Sequence, residues 1–189
     1  MLVFIFNLPL KMPFPKLRLL LADDDKDDCF FFKEALGEIP IFTELAIVHD
    51  GEELISYLND LDHLIPHILF LDLNMPRKNG FESLIEIKRI ERIKQLHVII
   101  FSTSIDQKMA DLLYKSGAQY YIHKPPAFSQ LKRLIHLALT VIQKDLFTES
   151  ATSSSIHHQD KRDLPVAGII ETFRDIVQPA RELFVLSAQ

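Results

Sequence analysis

The chain reads as an α/β protein: a parallel sheet covered by helices on both faces. Three observations predict it. Five short apolar runs, near residues 17–22, 43–48, 67–71, 97–101 and 119–123, are almost continuous rather than alternating, as strands buried on both faces must be. Segments with apolar residues at helical spacing lie between them, so strand and helix alternate five times. Four of the runs also stop at chemically competent side chains. Asp23 and Asp24 follow Leu19-Leu20-Leu21-Ala22, Asp72 follows Ile68-Leu69-Phe70-Leu71, Ser102 follows Val98-Ile99-Ile100-Phe101, and Lys124 follows Tyr120-Tyr121-Ile122-His123. Ligands of open α/β sheets bind beyond the carboxyl ends of the strands, where such residues converge although far apart in sequence.

The helices follow from spacing and punctuation. Segment 26–36 carries Cys29, Phe32 and Leu36 on one face, with Asp25 as N-cap and Gly37 as terminator. Segment 52–60 carries Leu54, Ile55 and Leu58 behind the N-cap Asp50. Segment 81–95 places Phe81, Leu84, Ile85 and Ile87 on a broad face, and segment 106–115 places Met109, Leu112 and Leu113 on another before Gly117. In the last helix, 128–145, Leu131, Leu134, Ile135, Ala138 and Ile142 form the stripe that covers a sheet, while Leu137, Leu139, Val141 and Leu146 fall outside it. That surplus predicts a second cover, either the C-terminal segment or a second copy of the chain in a homodimer.

Composition bounds the rest. At 189 residues with 48% apolar content, the chain suffices for one well-cored domain plus extensions. A net charge of -5 gives no general reason to expect nucleic-acid binding, which rests on clustered Lys and Arg. Cys29 is the only cysteine, which excludes an intrachain disulfide. The apolar N-terminal run is too short to span a bilayer as a helix and lacks a preceding basic region, so no membrane association and a cytoplasmic location are expected. We divide the chain into an irregular arm (1–15, with Pro9, Pro13 and Pro15, and Met12 as an alternative start), one domain (16–145), a serine-rich linker (146–163) and an apolar tail (164–189) interrupted by Pro165 and Pro179. His157-His158 in the linker has no companion ligands and reads as ordinary surface.

The ordered set of motifs is specific. It comprises the acidic pair after the first strand, Asp72-Leu73-Asn74-Met75-Pro76 with Gly80 beyond it, Ser102 after the fourth strand, Gly117-Ala118 before the fifth, and Lys124-Pro125 after it. Over residues 16 to 145 this resembles the CheY-like receiver domain of two-component response regulators. The resemblance implies a flavodoxin-like sheet in the order 2-1-3-4-5 and Mg²⁺ as cofactor. It implies that Asp72 is the nucleophile that becomes an aspartyl phosphate, that Asp24 and Asp72 bind the metal directly, that Asp23 acts mainly through a coordinated water, and that Asn74 offers its backbone carbonyl. Lys124 then meets the phosphoryl oxygens, Ser102 donates a hydrogen bond to them, and Tyr121 reorients behind Ser102 as a switch. The chemistry requires such a set: a carboxylate is a modest nucleophile, its donor is anionic, and a hard divalent cation held by oxygens offsets that repulsion.

The implied partners are a histidine kinase or a histidine phosphotransfer protein and a downstream protein target, reached through the surface of the fourth helix, fifth strand and fifth helix. No enzymatic activity is implied beyond self-phosphorylation and autodephosphorylation. With only 44 residues after 145 and no helix-turn-helix signature, a stand-alone receiver is expected; a phosphorelay intermediate is the alternative, and a degenerate, non-phosphorylated module a weaker one. Ser102 stands where Thr is more usual, and Thr103 where a smaller residue is common, which bears on the lifetime of the acyl phosphate. An EF-hand register on Asp23, Asp25, Asp27 and Glu34 fails because Asp28 replaces the glycine its turn requires. An Asp-x-Asp phosphatase fails because Asn74 replaces the second acid.

Overall fold

Leu19, Leu20, Leu21 and Ala22 cannot share one face of a strand, so β1 (Leu17–Ala22) is stable only between two covering layers. A computed structural model of the chain, describing residues 16–103 and 107–152, provides both. The remaining elements are α1 (Lys26–Gly37), β2 (Thr43–Val48), α2 (Gly51–Asn59), β3 (Ile68–Leu71), α3 (Gly80–Arg89), β4 (His97–Ser102), α4 (Gln107–Lys115), β5 (Tyr120–His123) and α5 (Phe128–Thr152). The strands form one parallel sheet in the order β2-β1-β3-β4-β5, as the resemblance implied. Leu17, Leu19 and Leu21 face a core shared with α1 and α5, whereas Leu20 and Ala22 face a core shared with α2, α3 and α4. Phe32, Phe70 and Phe101 interlock edge to face in the first core, with ring centroids 4.8 to 6.2 Å apart.

The predicted N-caps hold, whereas α1 runs through Gly37 and is capped at its C-terminus by Glu38 rather than by the glycine. Asp25 accepts from the backbone N–H groups of Asp27 (2.8 Å) and Asp28 (3.1 Å), and Asp50 accepts from those of Glu52 and Glu53, both at 2.8 Å. Asn79 and Glu82 close a reciprocal capping box on α3.

Three expectations need correction. The third helix ends at Arg89 rather than 95, because Ile90 is extended and the chain turns to bury Ile93 and Leu96. Lys88 Nζ donates to the carbonyls of Lys94 and Leu96 and so fixes that turn. In α4, Ala110 and Leu113 are buried, whereas Met109 and Leu112 are exposed. The last helix runs to Thr152, through the first seven residues assigned to the linker.

The surplus on α5 is also smaller than the sequence suggested. Leu137 and Leu139 are buried in the same core as Phe32 and Leu36, and Val141 and Leu146 pack against it half-buried. Leu139 lies four residues after Ile135 and three before Ile142, so it belongs to the stripe, widened because α5 covers both the sheet and α1. The expected arm (1–15) and tail (164–189), with any fold-back onto α5, lie outside the described residues. Among the described residues no helix is long and apolar enough to cross a membrane.

Candidate phosphoryl and cation site

The sheet places the site at one edge. Register pairs Ala22 with Leu71, Leu71 with Ile100, and Ser102 with His123, so the residues that follow β1, β3, β4 and β5 emerge at the same end of the sheet. Backbone hydrogen bonds extend the alignment past the strands: Asp72 N–H donates to Ala22 O at 2.9 Å, and Lys124 N–H to Ser102 O at 2.9 Å. A cavity of about 470 Å³ opens there, lined by Asp23, Asp24, Asp72, Asn74 and Lys124 together with Thr103 and the start of α1. Five of the predicted residues are thus brought to one wall. Ser102 lies fully buried behind it, and Tyr121 is half-buried on β5.

Carboxylates dominate. Asp23, Asp24 and Asp72 each offer one oxygen, all within 4.8 Å of one another, with Asp23 and Asp72 buried and Asp24 exposed. Oxygen-only donors of this kind suit a hard divalent cation such as Mg²⁺ or Mn²⁺. Burial pushes the Asp23 carboxyl up to about 6, although Lys124 and the Asp25 N–H draw it down. Like charges gathered where water is scarce are costly, and a bound cation relieves that cost.

Among the described residues, Lys124 is the cation that pairs with the carboxylates of the cluster. Its ammonium lies 2.7 Å from Asp23 Oδ2, 2.8 Å from Asp28 Oδ2 and 3.6 Å from Asp72 Oδ1. Phe101, the bulky residue at the end of β4, lies beneath it with its ring centroid 5.4 Å away. Burial works against the charge of Lys124, but hydrogen bonds to Asp23 and Asp28 outweigh it and hold the group protonated above the usual lysine range. Its peptide bond to Pro125 is trans.

Asp72 is held by its own loop. Its Oδ2 accepts from the Asn74 N–H at 3.0 Å, which leaves Oδ1 on the side of Lys124. Gly80 packs so closely that a Cβ there would land on the Asp72 carbonyl, which explains the glycine in the motif. Asp25 is spent as the helix cap and is absent from the cation cluster, as its position suggested. Cys29 donates to Asp23 O at 3.4 Å, and burial pushes its thiol up to about 12, so it stays protonated.

Sequence reasoning missed two contributors. Asp28 reaches Lys124 across 96 positions, a pairing no local pattern could reveal. His49 Nδ1 lies 3.0 Å from Asp23 O, bracing the β1 terminus from beyond β2.

The profile of the response regulator receiver domain matches residues 19–136. The chain is similar to response regulator Rcp1 of Synechocystis, 30% identical over 125 residues that cover 64% of this chain and 84% of that one. It is similar also to the probable methanogenesis regulatory protein FilR2 of Methanothrix harundinacea, 27% identical over 120 residues, 62% of this chain and 77% of that one. Among solved structures, the phosphorylated cyanobacterial phytochrome response regulator RcpA superposes with a TM-score of 0.63 at 30% identity, covering 71% of this chain and 96% of that one. The Mn²⁺-bound form of Rcp1 superposes with a TM-score of 0.61 at 27% identity, covering 66% and 92%. The sheet order, the acidic pocket with its lysine and these likenesses agree: the chain belongs to the response regulator receiver family of two-component signalling.

Proposed function

We propose that Asp72 is the phosphoryl acceptor and that Mg²⁺ is the working cation, held by Asp23, Asp24 and Asp72 with the Asn74 carbonyl. The observation that carries this reading is the convergence of three carboxylate oxygens within 4.8 Å and of Lys124 Nζ 3.6 Å from Asp72 Oδ1. In the transfer, a carboxylate oxygen of Asp72 attacks phosphorus, the bond from phosphorus to the donor histidine nitrogen breaks, and that nitrogen keeps the electron pair. The Asn74 N–H orients Asp72 through Oδ2, so Oδ1 is the oxygen presented beside Lys124. Lys124 offsets the negative charge that the phosphoryl group brings. A divalent cation held by Asp23, Asp24 and Asp72 would supply positive charge against the anionic phosphoryl group.

Signalling follows from two hydroxyls. Ser102 Oγ and Tyr121 OH are buried without a hydrogen-bond partner. Leaving a buried hydroxyl unsatisfied costs about 1–3 kcal/mol, so a phosphoryl oxygen on Asp72 is a strong new acceptor for Ser102. Movement of Ser102 frees space behind it for Tyr121 and shifts the population of the surface formed by α4, β5 and α5. Met109 and Leu112 expose apolar surface on α4, which suits capture of a protein target.

The test is incubation with Mg²⁺ and a small-molecule phosphodonor, followed by intact mass. One phosphoryl group is expected, absent in Asp72→Asn; phosphate on Ser102, or full labelling of the substituted protein, overturns the assignment. Transfer profiling then separates two outputs. Rapid return of the group to a second histidine protein marks a phosphorelay intermediate, and stable phosphorylation with capture of a different protein marks direct signalling by a stand-alone receiver.

A further inference from the structure

Lys124 has three N–H vectors and three carboxylates around it, yet only two are within hydrogen-bond reach. Asp23 Oδ2 and Asp28 Oδ2 lie at 2.7 and 2.8 Å, while Asp72 Oδ1 at 3.6 Å is too far. Asp23 belongs to the carboxylate cluster suited to a cation; Asp28 does not. Asp28 therefore keeps its full charge for Lys124 when the cluster is loaded. Its place is rigid, because its own N–H is fixed by the Asp25 cap at 3.1 Å in the first turn of α1.

We propose that Asp28 is a positioning residue that holds Lys124 at the mouth of the site and competes with the phosphoryl group on Asp72 for the same ammonium. This rests on Asp72 being the acceptor. The consequence has a definite sign. When a phosphoryl dianion sits on Asp72, it draws the ammonium of Lys124 towards Asp72, and the short contact to Asp28 opposes that move. Asp28 therefore lowers the affinity of the site for a phosphoryl group relative to the same site without it.

Beryllofluoride, a phosphoryl mimic that adds to a carboxylate without chemical turnover, reads this directly in saturating Mg²⁺. Asp28→Asn keeps the side-chain shape and removes the charge, and should tighten beryllofluoride binding about two- to fivefold, the range for a half-exposed ion pair. Asp27→Asn removes a charge from the same cavity wall; Asp27 has no contact with Lys124 among the described residues, and this variant should leave the affinity unchanged. Asp28→Glu restores the charge within reach of Lys124 and should return the affinity to that of the wild type. Equal tightening in the Asp27 and Asp28 variants would mean a general charge effect and overturn the proposal, as would unchanged or weaker binding in Asp28→Asn. Asp72→Asn separates the two levels: if it binds beryllofluoride as well as wild type does, the acceptor assignment fails, whereas loss of binding there with no Asp28 effect leaves the acceptor standing and removes only the role of Asp28.

Discussion

Two fully buried carboxylates stand one strand apart, Asp23 beyond β1 and Asp50 beyond β2, and they are buried for different reasons. Asp50 spends its oxygens on structure. Oδ1 accepts two backbone N–H groups at the start of α2, and Oδ2 pairs with Arg77, which sits at φ 63° in the loop after β3. Asp23 receives one backbone N–H, from Asp25 at 3.1 Å, and relies on the side chain of Lys124 for the rest. Fixed backbone donors make a carboxylate part of the scaffold. A carboxylate held by a side chain that can let go, beside two more carboxylates, is available for a ligand. Burial of an acid is thus no sign of function until its partners are counted.

Substitution should separate the pair. Asp23→Ala is expected to weaken Mg²⁺ binding by about tenfold or more, because it breaks the three-carboxylate cluster, while stability falls less than in Asp50→Ala because Asp28 still pairs with Lys124. Asp50→Ala should leave Mg²⁺ affinity near that of the wild type and lower stability by about 2 kcal/mol through loss of the cap. Cation titration and urea unfolding of both variants check this. A stability loss in Asp23→Ala equal to that in Asp50→Ala would erase the distinction.

The loop between these sites gives the next effect. Gly80→Ala should cost about 1–3 kcal/mol, since the new Cβ meets the Asp72 carbonyl, and should slow phosphorylation by displacing Asp72, the proposed acceptor. Gly37→Ala is the control, with nothing within 4 Å of its Cβ position, and should cost less than Gly80→Ala in urea unfolding while phosphorylation stays unchanged.

The smallest effect tests the same principle on a base. His67 Nδ1 accepts the Arg18 N–H at 2.9 Å, and burial, with help from the Arg18 charge, lowers its pKa from 6.5. The unfolded chain therefore binds a proton first as pH falls below 6.5, so stability should decline there until the folded form also protonates. Urea midpoints between neutral and mildly acidic pH should fall less steeply in His67→Gln than in the wild type. An identical slope would show that His67 carries no part of the acid sensitivity.

Much of this was legible in the chain itself. Continuous apolar runs can be satisfied only by strands covered on both sides, and local side-chain hydrogen bonds make Asp25 and Asp50 caps wherever a helix follows. Periodicity misled at the third helix, where Ile93 and Leu96 keep helical spacing but are buried by a turn, and at α5, where a two-sided contact widens the stripe to Leu137 and Leu139. Spacing counts residues on a face; it does not say how many neighbours that face meets.

Residue order alone determined the parallel α/β class, the strand ends and the identity of the groups waiting there: Asp23, Asp24, Asp72, Ser102 and Lys124. Those features depend on covalent neighbours and on the period of a strand or helix, both written along the chain. Only the tertiary structure decided which carboxylate holds Lys124, that Asp28 shares it with Asp23, and that Asp50 is bound by Arg77 while Asp23 stays available. Hydrogen bonds and ion pairs act over about 3 Å in space, and the chain separation of 96 residues between Asp28 and Lys124 carries no trace of that distance.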